Sequence, residues 1–380
     1  MPQGTQSKAS ILHLYGLVIG AIVVCVILFS VLYGSGGASV LLAEQETARQ
    51  AELTALPTPT PTPTPAPSKV STAGRLFPYL ENGIWGYKNT AGEIAITASY
   101  SAAEEFVDEV AFAAQNGIYG LIDRNGIWLV EPVWSSFLPF SEGRAAVCSG
   151  EKWGFIDKTG ALIIDYKFRE VGSFSCGRAM ARTGSNYGYI DPLGNMAVSE
   201  KFRSAGPFED DIAFASQGSS TYIINKAGSP QFTLDSGLSV VGYSEGVALV
   251  KYKSAYYYIT KYGRKAFGDT DTNEYQDALM FAGGHAAVKL EGLWGFINSK
   301  GVASISPEFM AVDSFSDGMA AVQNESGLWA YIDTSGSLKT DYSYSIVQPF
   351  VDDYAVVKRG QDWLILSKSG EEVPIYSELA

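Results

Sequence analysis

The fold of this chain is decided by the stretch Trp153-Gly154-Phe155-Ile156-Asp157-Lys158-Thr159-Gly160. Its first half alternates in the manner of a short strand, and its second half has the composition of a tight turn. Asp157 can accept hydrogen bonds from the turn backbone, and Gly160 can adopt the positive φ that a short hairpin needs. The apolar run 161–164 is then expected to form the returning strand.

The same stretch recurs along the chain at a nearly constant interval, as a search for internal repeats shows. The markers equivalent to Trp153 are Trp85, Tyr119, Trp153, Tyr187, Thr221, Tyr256, Trp294, Trp329 and Trp363. Their spacings are 34, 34, 34, 34, 35, 38, 35 and 34 residues. Seven residues beyond each marker stands a glycine: Gly92, Gly126, Gly160, Gly194, Gly228, Gly263, Gly301, Gly336 and Gly370.

Two further columns hold the same register. An aromatic residue recurs as Phe106, Phe140, Phe174, Phe208, Tyr243, Phe281, Phe315 and Phe350. Five residues after each of these stands an alanine: Ala111, Ala145, Ala179, Ala213, Ala248, Ala286, Ala320 and Ala355. A small residue at a fixed position indicates that neighbouring backbones approach closely there. Each unit of roughly 34 residues is thus predicted to form three short strands.

These residues resemble the WG-repeat family, named for the Trp-Gly pair seen at 85–86, 153–154 and 294–295. The resemblance covers 75–380 and implies an all-β repeat scaffold, with no catalytic residues to transfer. About nine units must stack to bury their apolar faces. Propeller blades usually have four strands in about 40–50 residues, so the shorter unit favours an open β-solenoid or superhelix. Closure in the manner of a β-propeller is the alternative.

The chain before the repeats is predicted to anchor them to a membrane. Residues 11–33 contain no charged side chain, and 23 residues in a helix span about 34 Å, which is enough to cross a bilayer. We expect a short cytoplasmic tail (1–10), this transmembrane helix, a partly helical juxtamembrane segment (34–56) and a Pro/Thr-rich stalk (57–74). The repeat domain, 75–380, would then lie outside the cytoplasm. A cleaved signal peptide is the rival interpretation.

Charge and motif content narrow the function classes. Residues 1–74 carry equal numbers of acidic and basic side chains, so the net charge of −13 lies on 75–380 and disfavours nucleic-acid binding. The chain has two histidines, His13 and His285, and lacks the Gly-x-Ser-x-Gly, His-Glu-x-x-His and phosphate-loop motifs. The aspartates that recur after the marker are better explained as turn caps than as catalytic acids. We therefore expect a protein without enzymatic activity. The cysteines Cys148 and Cys176 are expected to be unpaired, with a disulfide as the alternative.

Two local features are candidate sites. The 38-residue interval contains Asp269, Asp271, Asn273 and Asp277, whose oxygen ligands at relative positions 1, 3, 5 and 9 resemble part of a calcium loop. Position 6 is Glu274 where such loops carry glycine, so a solvated acidic loop is the alternative. Trp128 is the second candidate: it lies outside the repeating aromatic columns and could stack against a carbohydrate. No other cofactor is indicated.

The expected function follows from anchor, stalk and repeats together. It is that of a single-pass membrane protein of a bacterial envelope whose repeat scaffold binds cell-wall glycan or an envelope protein without catalysis. A cell-wall hydrolase or enzyme accessory domain is one alternative, and a purely structural spacer is another.

Overall fold

A computed structural model describes residues 70–268 and 274–377, and within them it contains nine small antiparallel sheets and no helix. The predicted transmembrane helix, the juxtamembrane segment and residues 57–69 of the stalk lie outside the described residues. Residues 70–74, at the end of the predicted stalk, lie against the repeats, where Arg124 Nε donates a 2.7 Å hydrogen bond to the carbonyl of Thr72.

The sheets follow one another in chain order. Sheet 1 comprises β1 (Phe77–Glu81), β2 (Ile84–Lys88) and β3 (Ile94–Tyr100). Sheet 2 comprises β4 (Ala102–Ala103), β5 (Val110–Gln115), β6 (Ile118–Asp123) and β7 (Trp128–Trp134). Sheet 3 comprises β8 (Ser136–Phe137), β9 (Arg144–Ser149), β10 (Lys152–Asp157) and β11 (Leu162–Phe168). Sheet 4 comprises β12 (Glu170–Val171), β13 (Ala179–Arg182), β14 (Tyr187–Ile190) and β15 (Met196–Phe202). Sheet 5 comprises β16 (Ser204–Ala205), β17 (Ile212–Gln217), β18 (Ser220–Asn225) and β19 (Pro230–Thr233).

The second half of the chain continues the series. Sheet 6 comprises β20 (Leu238–Ser244), β21 (Val247–Tyr252) and β22 (Ala255–Thr260). Sheet 7 comprises β23 (Asp277–Ala278), β24 (His285–Leu290), β25 (Leu293–Asn298) and β26 (Ala303–Phe309). Sheet 8 comprises β27 (Ala311–Val312), β28 (Met319–Gln323) and β29 (Trp329–Asp333). Sheet 9 comprises β30 (Ile346–Val347), β31 (Tyr354–Arg359), β32 (Asp362–Ser367) and β33 (Glu372–Ser377).

A complete sheet is a four-stranded meander in which the four strands always come in the same order. A short strand of two residues comes first, followed by the strand that carries the recurring alanine. The strand with the marker is third, and the strand after the glycine turn is last. The prediction of three strands per unit was therefore one short in most sheets. The missed element is the two-residue strand, which is too brief to leave an alternating pattern in the sequence.

The core lies between the sheets, in nine apolar clusters that each join one sheet to the next. In the cluster between sheets 3 and 4, Phe155 and Phe168 pack against Phe174 and Ile190, all of them buried. The ninth cluster joins the two ends of the series, because Phe77 and Tyr79 of sheet 1 pack against Val356, Ile365 and Ile375 of sheet 9.

The nine sheets thus form a closed ring in a β-propeller-like arrangement. The all-β repeat fold was predicted correctly, but the preference for an open solenoid was wrong, and propeller-like closure, given as the alternative, is what the structure has. Closure is possible because the outer faces of sheets 1 and 9 are both apolar and complementary. Lys88 Nζ also donates a 2.5 Å hydrogen bond to the carbonyl of Ile375 across this junction.

Candidate functional site

The marker residues provide one large side chain for each interface between sheets, with one exception. Eight of the nine apolar clusters include the marker of the preceding sheet, either in the cluster or packed against it: Trp85, Tyr119, Trp153, Tyr187, Tyr256, Trp294, Trp329 and Trp363. The cluster between sheets 5 and 6 has no such ring, because the marker there is Thr221. This interface therefore differs from the others in the volume of side chain that fills it.

The interface between sheets 2 and 3 shows what the missing ring would occupy. Phe112 of β5 stacks on Phe137 of β8 with ring centroids 4.0 Å apart, and Tyr119 of β6 meets Phe137 edge-on at 4.9 Å. Three aromatic rings close this interface, and Phe112 is only 4% exposed.

At the interface between sheets 5 and 6 the equivalent positions hold Phe214, Val240 and Thr221. The equivalence follows from register, since Val240 pairs with Val250 of the alanine strand just as Phe137 pairs with Val147. Compared with the interface between sheets 2 and 3, two rings are absent here. Val240 matches Val171, Val312 and Val347 at the same register, so Thr221 is the residue that sets this interface apart. Phe214 is left half-buried, and a cavity of about 540 Å³ opens beside it.

The cavity has an apolar wall and a polar wall. Phe214, Leu238 and Val240 supply apolar surface, and Phe214 lies 6.1 Å from the ring of Tyr243. Hydroxyl groups face them: Ser216 Oγ and Thr221 Oγ1 are 2.9 Å apart and share a hydrogen bond. The remaining lining residues are Arg203, Ser204, Ala205, Gly206, Pro207, Glu209, Ser219, Ser239, Val241 and Gly242. A few polar groups set in an apolar wall are typical of small-molecule sites.

Two charged residues line the cavity in different states. Arg203 is exposed, and its guanidinium group has neither a hydrogen bond nor an ion pair within the described part of the chain. Glu209 is half-buried, and burial, followed by the charge of Asp210, raises the pKa of its carboxyl group. Burial and a 3.0 Å hydrogen bond to Asp210 raise the pKa of Tyr243, whose hydroxyl therefore stays protonated at neutral pH.

Trp128, predicted to bind a ligand, is half-buried at the start of β7. Its ring meets that of Tyr100 edge-on at 5.5 Å and packs against the cluster between sheets 1 and 2. This placement gives Trp128 a role in packing, and ligand binding by its exposed part remains a prediction.

Three of the four predicted calcium ligands, Asp269, Asp271 and Asn273, lie outside the described residues. Asp277 is the first residue of β23, and its carboxylate accepts a 2.9 Å hydrogen bond from the backbone N–H of Ala278. Within residues 70–268 and 274–377, no group of three or more His, Cys, Asp and Glu side chains could hold a metal ion. The calcium site remains a prediction.

The recurring aspartates act as turn caps, as the sequence predicted. Asp157 Oδ1 accepts hydrogen bonds of 2.8 Å from the N–H of Thr159 and 3.1 Å from that of Ala161, and the Thr159 hydroxyl, with these backbone donors, lowers the pKa of Asp157. The same pattern of two backbone donors holds at Asp123, Asp191 and Asp333.

The sequence also singled out one histidine and two cysteines by their chemistry. His285 is half-buried at the start of β24, where its ring lies 4.9 Å from that of Phe315. Cys148 and Cys176 are free thiols, as expected. No helix capable of crossing a membrane occurs in the described part of the chain.

Sequence reasoning missed the cavity, although one signal for it was present. Thr221 is the one non-aromatic residue in the marker column. The cavity also needs Phe214 and Val240 on neighbouring sheets, and only the stacking of these sheets brings the two residues to one cavity.

Comparison with known proteins is consistent with this description. A protein-family model described as "WG containing repeat" matches more than half of the chain, at residues 85–117, 119–153, 153–187, 187–219, 274–294, 294–329 and 329–363. The unmatched interval, 220–273, contains Thr221 and the β20 side of the cavity. No curated protein matches the sequence.

Several solved structures align with the chain. A eukaryotic initiation factor aligns with a TM-score of 0.57 at 13% identity, covering 79% of this chain and 94% of the other. The computationally designed Ika8 protein gives a TM-score of 0.44 at 13% identity, covering 72% and 95%, and BamB from Moraxella catarrhalis gives 0.38 at 12%, covering 69% and 94%. At such identities the likeness concerns the fold alone. The repeated sheets and the family match lead to one conclusion: the chain belongs to the WG containing repeat family.

Proposed function

We propose that the chain is a membrane-anchored scaffold of a bacterial envelope, whose ring of repeats binds a glycan or protein of the envelope without catalysing a reaction. The observation that carries the proposal is the cavity between sheets 5 and 6. It interrupts a ring whose other interfaces are each filled by an aromatic marker. A pocket that opens where one interface departs from the repeated packing is a candidate binding site, because function resides in sites built onto a fold.

The use of the acidic side chains supports a role without catalysis. The recurring aspartates cap turns, and other turn acids tie one sheet to the next. For example, Glu142 accepts a 3.0 Å hydrogen bond from the N–H of Gly177, and Asp317 accepts one of 2.8 Å from the N–H of Asp353. Carboxylates held in this way are poorly placed to act as general acids or bases.

The anchored location rests on the sequence. The uncharged run 11–33 is long enough to span a bilayer, and the alternating prolines at 57–67 favour an extended stalk. A ring held in this way would project from the membrane into the cell wall. If the anchor is correct, the 380-residue chain remains in the membrane fraction after a high-salt wash, whereas recovery in the soluble fraction would contradict it.

Incubation of the purified 380-residue chain with isolated cell-wall material tests the binding role. We expect the protein to be retained on the sediment, with no sugar or peptide released into the supernatant. Release of either would favour a hydrolase. A chain that neither binds nor releases anything would instead be a structural spacer. Heat-denatured protein serves as the control for non-specific retention.

A further inference from the structure

We infer that the cavity between sheets 5 and 6 binds one sugar ring that carries a carboxylate, such as a uronic acid unit. This inference rests on the proposed function and gives that binding site a ligand class. The cavity occupies the place of a missing aromatic side chain, so its natural content is a ring of similar size with at least one apolar face. Its volume, about 540 Å³, is ample for a single pyranose and its hydration.

The half-buried ring of Phe214 forms the platform for the apolar face of the sugar. At the interface between sheets 2 and 3 the equivalent ring, Phe112, is covered by Phe137 at 4.0 Å, whereas at the cavity Val240 stands in the place of Phe137 and the ring of Tyr243 lies 6.1 Å away. The axial C–H groups on one face of a pyranose can pack on an aromatic ring and remove it from water. Leu238 and Val240 extend the same apolar wall.

The hydroxyl groups of the sugar would meet hydroxyl groups of the protein. Ser216 and Thr221 share one hydrogen bond, which leaves one hydroxyl proton and several lone pairs for a ligand. Ser204, Ser219 and Ser239 are exposed at the cavity, and their hydroxyls form no hydrogen bond within the described residues. Groups that can both donate and accept suit a sugar better than a purely apolar or a purely cationic ligand.

The two charged residues of the cavity, Arg203 and Glu209, indicate that the ligand carries a carboxylate. Arg203 has no partner within residues 70–268 and 274–377, and guanidinium groups bind carboxylates through paired hydrogen bonds. Glu209 lines the same cavity, and its negative charge restricts a ligand carboxylate to the Arg203 side. The net charge of −13 opposes the approach of anions, so the attraction must be local to Arg203 and sensitive to salt.

Calorimetric titration of the 380-residue chain with glucuronate, and separately with glucose, tests the inference. We expect glucuronate to bind about tenfold or more tightly than glucose, because only glucuronate gains the charged hydrogen bonds to Arg203. The variant R203A should lose that preference. R169A is the matched control, since Arg169 holds the same repeat position one sheet earlier, is also exposed, and does not line the cavity. Equal affinity for the two sugars, or equal effects of R203A and R169A, would overturn the carboxylate assignment.

The variant T221Y separates binding from folding. It restores the aromatic marker found in the other units, so we expect it to fill the cavity, abolish glucuronate binding and leave the melting temperature unchanged or raised. Undiminished glucuronate binding by a folded T221Y chain would place the ligand elsewhere and overturn the inference.

If the wild-type chain is retained on cell-wall material but binds no glucuronate, the cavity inference fails and the proposed scaffold role stands. If the chain binds glucuronate but not the wall, the ligand is a free sugar acid and the envelope role fails.

Discussion

At the scale of single residues, the glycine column has two physical reasons, of which the sequence revealed one. Gly194 has a φ of +78°, as its tight turn requires. A Cβ atom at this position would also lie 2.7 Å from Cγ2 of Ile164, on the last strand of the preceding sheet. At seven of the nine column glycines a Cβ atom would lie 2.7 Å or less from a side chain of the preceding repeat, and for Gly92 that side chain belongs to sheet 9, across the ring closure.

Substitution of Gly194 by alanine should therefore cost more than a turn alone explains. Gly370 occupies the same column at a φ of +88°, but a Cβ atom there would meet nothing within 4 Å, so it is a matched control. We expect Gly370→Ala to lower the free energy of unfolding by about 1 kcal/mol, the conformational cost. Gly194→Ala should lower it by about 2–4 kcal/mol, because overpacking is added. Equal losses in urea titrations of the two variants would contradict the contact between sheets.

The sequence could show the turn at these glycines because turn chemistry is local. It could not show the contact with Ile164, because that contact depends on how two sheets stack. The same limit applies at the candidate site. The anomaly at Thr221 was visible in one column, yet the cavity lies between Phe214 and Val240 of two different sheets, which only the stacking of those sheets brings together.

At the scale of strands, the glycine of the Trp-Gly pair accounts for an irregularity in its neighbour. A Cβ atom on Gly154 would lie 2.6 Å from the carbonyl oxygen of Ile164, which is closer than backbone and Cβ atoms can approach. The last strand is bulged at this point, with register shifts on both sides of Phe155. The same double shift accompanies the other glycines of this column, Gly86, Gly120, Gly188 and Gly295. Where another residue follows the marker, the double shift is absent: sheet 8, with Ala330, has no fourth strand within the described residues, and sheet 9, with Leu364, has a single shift.

Hydrogen bonds from buried tyrosines join neighbouring sheets and make stability depend on pH. Tyr189 is fully buried, and its hydroxyl donates a 2.8 Å hydrogen bond to the carbonyl of Gly206 in the next sheet; the same type of bond is formed by Tyr87, Tyr258 and Tyr331. Burial raises the pKa of each hydroxyl above its usual value of 10.0. The folded chain therefore retains protons that the unfolded chain releases above that pH, so stability is lost as pH rises through this range.

We expect the free energy of unfolding to fall above about pH 10, each of these tyrosines contributing up to about 1.4 kcal/mol per pH unit. Tyr189→Phe should cost about 1 kcal/mol at pH 7 from the lost hydrogen bond, and should weaken the alkaline dependence. Urea titrations of both proteins from pH 7 to 11 measure the two effects. An unchanged slope in the variant would mean that Tyr189 does not titrate differently in the folded and unfolded chains.

At the scale of the whole molecule, the sequence repeats and the sheets do not begin at the same point, and this offset affects the sheets that close the ring. A unit counted from marker to marker begins in the third strand of one sheet and ends in the second strand of the next. Sheet 1 accordingly lacks a short first strand within the described residues. The closing contact differs from the other contacts between sheets, and no column of the sequence predicted it.

Arg75 takes over part of the missing strand's role. Its guanidinium donates hydrogen bonds of 2.6 Å to the carbonyl of Val351 and 2.8 Å to that of Tyr354, both near the start of β31 in sheet 9. It also forms a 2.9 Å ion pair with Glu105 of sheet 2, and the Arg75 side chain is only 10% exposed. Arg75, which stands two residues before β1, thus connects the sheets on both sides of sheet 1. Removal of Arg75 would take a charged donor from both carbonyls, each of which would keep only the backbone N–H of the other residue as its donor.

Arg75→Ala should therefore weaken the ring at its closure. We expect a loss of about 2–4 kcal/mol in the free energy of unfolding, because two carbonyls and one carboxylate lose a charged donor. Hydrogen exchange should accelerate first in β1 and β33, whose sheets meet at the closure. Arg169→Ala, which removes an exposed arginine from another sheet, should change stability by less than about 0.5 kcal/mol. Two outcomes would contradict this role: a loss of stability in Arg75→Ala no larger than in Arg169→Ala, or hydrogen exchange that increases evenly around the ring. Either would mean that the apolar contact of Phe77 and Tyr79 with sheet 9 is sufficient for closure.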